Sequence, residues 1–206
     1  MKTFTAKGQR ARQRLLEVAI RLFAAQGFDG VSVDQIVAEA HINKRMVYHY
    51  FGSKEQLYQA ALAAEYGKLE SLELKTLHPD EPIAKVVADV VQAYFRFLRR
   101  NPEFVKLLLW ENLNGGRNLK HMPVPLSKGP MMELLLAAVN AGKLRGTVRA
   151  DVDPRFLLIS LIGNCMVYFS NRHTLSAALD LPLGSNRVLA AAQRAVTTLL
   201  LQGIQP

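Results

Sequence analysis

Lys44, Arg45, Tyr48 and His49 fall within one short stretch at a spacing that gathers them on the outer face of a helix, while Val47 and Phe51 turn inward. Two cations and an aromatic on one face are groups suited to hydrogen-bonding the base edges of a nucleic acid. Arg45 has the planar fork that pairs in a bidentate way with guanine, and Lys44 offers a less directional donor. The chemistry indicated is recognition, not catalysis.

The elements around this face have to position it, and their end signals can be read. Ser32 is placed to cap a helix, with Gln35 three residues on as its box partner. Ile36, Val37 and Ala40 give that helix a short apolar face. The triplet His41-Ile42-Asn43 breaks the pattern, and Asn43 is placed to cap the helix that carries the cations. Gly52 ends it, and Ser53 caps the next one with Gln56 in the box position. Two short helices joined by a tight turn form a helix-turn-helix, a unit that lays its second helix in a major groove. A first helix over residues 8–26 precedes them. It carries a stripe of Leu15, Val18, Ala19 and Leu22, with Gly27 as its stop.

Three linked runs carry a family resemblance: residues 14–28 (RLLEVAIRLFAAQGF), 31–40 (VSVDQIVAEA) and 47–57 (VYHYFGSKEQL). Together they resemble the amino-terminal domain of TetR-family transcriptional regulators. The resemblance implies a DNA-binding domain over residues 1–53 and a helical effector-binding and dimerisation domain over residues 54–206. It also implies a homodimer on a pseudo-palindromic double-stranded operator. On this carry-over Lys44 and Arg45 face bases, Tyr48 meets the sugar-phosphate wall, and His49 and Tyr50 touch the backbone. Lys54 pairs with a phosphate, and Ser32 completes the DNA-binding set. One position departs from the family pattern: His41 stands where a Gly is usual in the turn. A non-Gly residue held left-handed there costs on the order of 1 kcal/mol, and His tolerates that region better than most.

The remainder reads as helical almost throughout. Helices are expected over residues 54–75, 83–99, 103–113, 131–141, 154–173 and 185–201, which gives an all-α chain of about nine helices. The break at residues 78–82 is the expected boundary between domains, and residues 117–130, rich in Pro and Gly, are expected as an irregular loop. A lining for a small, partly aromatic effector is expected from Tyr94, Phe97, Phe104, Trp110, Met131, Asn164, Tyr168 and His173. Asn164 stands out as an amide in an apolar run, which needs a partner if it is buried. The last two long helices are apolar on more than one face. A four-helix bundle between two subunits, the family's usual dimer, would bury both faces. In the mechanism the resemblance implies, effector binding swings the helix that begins at Lys54 and separates the two recognition helices.

Bulk properties restrict the alternatives. The 206 residues carry 26 Lys and Arg against 17 Asp and Glu, a net charge of +9 that favours a polyanionic partner. Lys2, Lys7, Arg10, Arg12 and Arg14 crowd the first 14 residues with no acidic residue among them. The lone Cys165 excludes an intramolecular disulfide and a multi-cysteine metal site. No apolar run reaches the ~20 residues of a membrane span and no signal peptide is apparent, so a cytoplasmic protein without membrane contact is expected. Neither a cofactor nor a metal is expected: the histidines at 41, 49, 78, 121 and 173 are not spaced as ligands. His173 and Cys165 lie about 12 Å apart along a helix, too far to share a proton. Two readings stand behind the main one: a regulator without a ligand that uses its helical domain to bind another protein, and a helical enzyme.

Overall fold

The computed structural model describes residues 5–70, 81–119 and 130–206. Ten α-helices occupy them: α1 Ala6–Gln26, α2 Val33–Ala40, α3 Lys44–Phe51, α4 Lys54–Glu70, α5 Ile83–Arg100, α6 Pro102–Leu113, α7 Pro130–Leu144, α8 Pro154–Ser170, α9 Arg172–Leu179 and α10 Asn186–Ile204. The chain folds into two compact units. The first joins residues 1–68 to 103–123, and the second joins residues 69–102 to 124–206. Residues 78–80 of the expected boundary and most of the expected loop at 117–130 lie outside the described residues, as do His78 and His121.

In the first unit the apolar stripes meet as their spacing requires. Leu15, Ala19 and Phe23 of α1, Ile36 and Ala40 of α2, and Val47 of α3 are fully buried against Leu57, Ala61 and Leu62 of α4. Tyr58 meets Phe23 and Phe28 edge to face, with Phe23 and Tyr58 ring centroids 4.9 Å apart, while Phe23 and Phe28 stack on each other. Truncating a buried ring of this kind costs about 3–5 kcal/mol. This unit takes in α6 and, up to Lys68, α4.

α6 brings the polar groups of this core. The Glu111 carboxylate is buried and accepts from the backbone N–H of Asn118 at 3.2 Å and from its side-chain amide at 3.0 Å. Tyr58 hydrogen-bonds the same carboxylate, and burial together with that contact pushes its phenol well above the ordinary range. Burial first, then the Glu111 charge, pushes Tyr66 up to about 12. The buried Glu65 pairs with Lys68 at 2.6 Å through one oxygen, while its second oxygen has no partner. Trp110 lies against the α1 stop. A Cβ on Gly27 would come within 3.0 Å of the indole ring, and the indole N–H donates to the Ala24 carbonyl at 3.3 Å. Gly27 also adopts a positive φ of 73°, so two constraints select glycine there.

The second unit is built on α5, whose Val86, Val87, Val90, Val91, Tyr94, Phe95, Phe97 and Leu98 are buried. Leu135 and Val139 of α7, Leu161 and Cys165 of α8, and Val196 of α10 complete its core. The end of α7 is tied by Thr147 and Val148, whose N–H groups both donate to the Gly142 carbonyl. Asp153 caps α8 by accepting from the backbone N–H of Arg155 at 2.8 Å, and the Arg155 guanidinium beside it holds its carboxyl down at about 2. The expected helix to residue 173 stops at Ser170. Asn171 departs from helical geometry and the chain restarts as α9, which accounts for ten helices where about nine were expected.

Candidate nucleic-acid interface

The backbone that carries the cationic face is fixed at three caps. Ser32 Oγ accepts from the Gln35 N–H at 3.0 Å, Asn43 Oδ1 from the Arg45 N–H at 2.9 Å, and Ser53 Oγ from the Gln56 N–H at 3.1 Å. His41 adopts the left-handed conformation, φ 53° and ψ 46°. Its N–H bonds the Ala38 carbonyl and the Ile42 N–H bonds the Val37 carbonyl, a Schellman closure of α2. Val37 and Ile42 pack on the core beneath it. A glycine-type turn is therefore made here by histidine.

With Val47 and Phe51 anchored inside, α3 turns Lys44, Arg45, Tyr48 and His49 outward. Tyr48 is 50% exposed. Tyr50 is half-buried, its ring 5.1 Å from that of His49. Lys44 and Arg45 occupy the first turn of α3, which has no acidic residue. The helix macrodipole disfavours cations at that end. Their position costs stability in the free protein and suits an incoming anion.

The two cations differ in their surroundings. Lys44 Nζ is held by the Asp34 carboxylate of α2 at 2.8 and 2.9 Å, and this hydrogen bond raises its pKa above the ordinary lysine value. The Arg45 guanidinium is exposed and has no recorded partner among the described residues. Lys54 Nζ lies 4.2 Å from the centroid of the Phe28 ring. Sequence reasoning missed Asp34, because its contact depends on the angle between α2 and α3.

Helix α1 begins at Ala6, capped by Thr5, so Lys7, Arg10, Arg12 and Arg14 lie on its first turns; Lys2 falls outside the described residues. The Arg12 guanidinium sits 4.8 Å from the centroid of the Phe51 ring, which places one of these charges beside α3.

The expected effector residues are divided between the units. Phe104 and Trp110 belong to the first, and Phe104 packs edge to face on Tyr66 at 5.3 Å. Tyr94 and Phe97 are buried on α5 with stacked rings, Met131 and Tyr168 are half-buried, and His173 is exposed. Asn164 is exposed too, and its amide donates to the Ser160 carbonyl one turn back at 2.8 Å. Its apolar neighbours suggested an interior, but Leu161 and Cys165 take the inner face and leave Asn164 outside.

Two concavities open on the second unit. One, of about 410 Å³, lies between α8 and α10, with Phe156, Ser160, Asn164, Leu199 and Gly203 among its walls. The other, of about 200 Å³, lies between α5, the end of α8 and the start of α10. Of the expected effector residues only Asn164 lines either one. Among the described residues no three His, Cys, Asp or Glu side chains gather as a metal site, and no helix is long and apolar enough to cross a membrane.

Comparison with known proteins gives a consistent result. The sequence profile of bacterial regulatory proteins of the tetR family matches residues 15–61, and that of the tetracyclin repressor-like carboxy-terminal domain matches residues 84–199. The helix-turn-helix-type transcriptional repressor NicS of Pseudomonas putida is 31% identical over 97% of this chain and 94% of its own length. The transcriptional repressor SCO4008 of Streptomyces coelicolor is 28% identical over 73% of this chain and 75% of its own. Among solved structures, the transcriptional regulator SCO4942 of Streptomyces coelicolor superposes with a TM-score of 0.68 at 23% identity, covering 95% of this chain and 99% of its own. The fatty acid degradation regulator FadR of Bacillus halodurans gives 0.68 at 18% identity, covering 97% of each chain. At these identities the structural likeness speaks to the fold.

Proposed function

The chain belongs to the TetR family of DNA-binding transcriptional regulators, and from that premise we propose that it is a cytoplasmic, homodimeric repressor released from its operator by a small-molecule effector. The observation that carries the DNA-binding part is the outer face of α3: Arg45, Tyr48 and His49 exposed over the buried Val47 and Phe51, with cations in the first turn. Arg45 reads a base edge, and Tyr48, His49 and Tyr50 contact the sugar-phosphate backbone. Lys54 and the cations of α1 neutralise phosphates, with Ser32 at the edge of the contact.

Dimerisation is assigned to α8 and α10. Each carries an outward stripe of apolar and small residues: Phe156, Ile159, Gly163 and Val167 on α8, and Ala191, Ala195, Leu199 and Gly203 on α10. Phe156 is 68% exposed and Leu199 62%, and apolar surface of that kind is buried by association. A two-fold dimer then reads a pseudo-palindrome in successive major grooves. The effector acts by binding the DNA-incompetent conformer more tightly than the DNA-bound one.

The test is fluorescence-anisotropy binding to the DNA immediately upstream of the protein's own gene, across a salt series, with random DNA as competitor. One dimer per site, bound in a way that survives competition, is the expected result. Binding that random DNA removes equally would reject specific recognition of that site and leave the basic face as an electrostatic surface only.

A further inference from the structure

The smaller concavity of the second unit has a chemistry that its position does not require. One wall is aromatic: Phe95 of α5 and Phe169 of α8 meet edge to face with centroids 5.6 Å apart. The rim is cationic. Arg96 and Arg99 lie three residues apart on α5 and are therefore neighbours on its surface. Arg99 is drawn across the opening, donating from Nη1 to Asn186 Oδ1 at 2.8 Å. That bond uses one of the five N–H donors of its guanidinium, and Arg96 has no recorded partner among the described residues. Asn186 opens α10, so the positive end of that helix faces the same space. Gln193 adds a neutral amide about two turns further along, and no acidic side chain lines the cavity.

We infer that this groove is a binding site for a small aromatic carboxylate, its ring against Phe95 and Phe169 and its acid group on Arg96 and Arg99. A guanidinium presents paired donors that match a carboxylate in a bidentate way. The volume of about 200 Å³ is below the 300–1,000 Å³ typical of drug-sized ligands and suits a single ring with a short acid arm. The groove also sits on the flank of α10 formed by residues 186, 189, 190 and 193, away from the stripe of residues 191, 195, 199 and 203 assigned to dimerisation. A ligand there and a second subunit do not compete. That this ligand is also the effector rests on the function proposed above.

The experiment is isothermal titration of the full-length protein, without DNA, with benzoate and phenylacetate as probes and benzamide as the uncharged control. Saturable binding of at least one acid, one molecule per subunit, is expected, with benzamide and the Arg99→Gln protein each at least tenfold weaker. Ala190→Trp, which fills the groove without touching its charge, is expected to abolish binding and serves as the second variant if Arg99→Gln does not fold. Absence of saturable binding by both acids overturns the assignment, as does binding of equal strength in both variants. Adding the acid to the operator complex separates the two readings. Arginine-dependent binding that leaves the operator complex intact keeps the site and removes it as the effector site. Release by a compound that acts equally on the Arg99→Gln protein keeps the effector mechanism and places it elsewhere.

Discussion

Lys44 and Arg45 are adjacent, yet only Lys44 has an ion-pair partner among the described residues. Asp34 meets Lys44 through both carboxylate oxygens in an exposed pair, which contributes about 0–1 kcal/mol, and Arg45 is the cation without an ion pair among the described residues. Arg45→Ala is expected to weaken operator binding by about 1–3 kcal/mol and to relax sequence preference at one position in each half-site. An unchanged preference in a competition series with single-base operator variants would remove the residue from base readout. Asp34→Asn should release Lys44 to the phosphates. Binding to random DNA then strengthens and the slope of log affinity against log salt steepens by about one contact; an unaltered slope would leave Lys44 outside the interface. Buried acids set a pH limit at the alkaline end. Cys165 is pushed up to about 12 by burial, and Tyr66 to about 12 by burial and the Glu111 charge. Both groups are neutral in the native protein and ionise more readily once unfolded, from ordinary values of 9.0 and 10.0. Their contribution to stability is thus full below pH 9 and is lost as pH rises towards 12. Denaturant midpoints measured from pH 8 to pH 11 should fall, and Cys165 should resist a thiol reagent at pH 8 until the protein unfolds. The outward face of α3 was legible from residue spacing alone, since a helix with two fixed anchors leaves one choice of exposed side. The Asp34 contact was not, because it spans a turn whose angle no local pattern specifies.

At the scale of elements, the turn between α2 and α3 is the clearest case of a strained conformation held by its surroundings. His41 stands at φ 53° with its side chain exposed. His41→Gly is expected to stabilise the protein by about 1 kcal/mol, read as a rise in the denaturant midpoint at constant slope. A fall would mean that the imidazole makes a compensating interaction. Capping residues told where helices start: Ser32, Asn43 and Ser53 all cap as their positions suggested. Helix ends without such a signal were harder to place. The break at Asn171 has no proline or glycine, and α1 begins earlier than the first apolar residue of its stripe. The membership of α6 was hidden as well. Phe104 and Trp110 follow α5 closely in the chain, yet they pack against α4 and the end of α1. Their partners in that packing lie tens of residues away, beyond the reach of periodicity.

At the scale of the molecule, the excess apolar faces of the last long helices were legible as a pattern, and the structure places Phe156, Ile159 and Leu199 on the outside. Leu199→Glu puts a charge at the centre of the proposed dimer surface and is expected to yield a monomer by light scattering. Operator affinity should fall steeply, because each half-site then binds alone. A variant that stays dimeric would move the interface elsewhere. The division of the chain matters here too, since α6 shares a core with the helix-turn-helix while α5 belongs to the other unit. The chain's single tryptophan is on α6, its indole against Gly27 and its N–H on the Ala24 carbonyl at the end of α1. An unlabelled preparation therefore contains its own optical gauge at that seam. Emission excited at the red edge arises from this one ring, and any movement of α6 away from α1 would wet the indole and redden its spectrum.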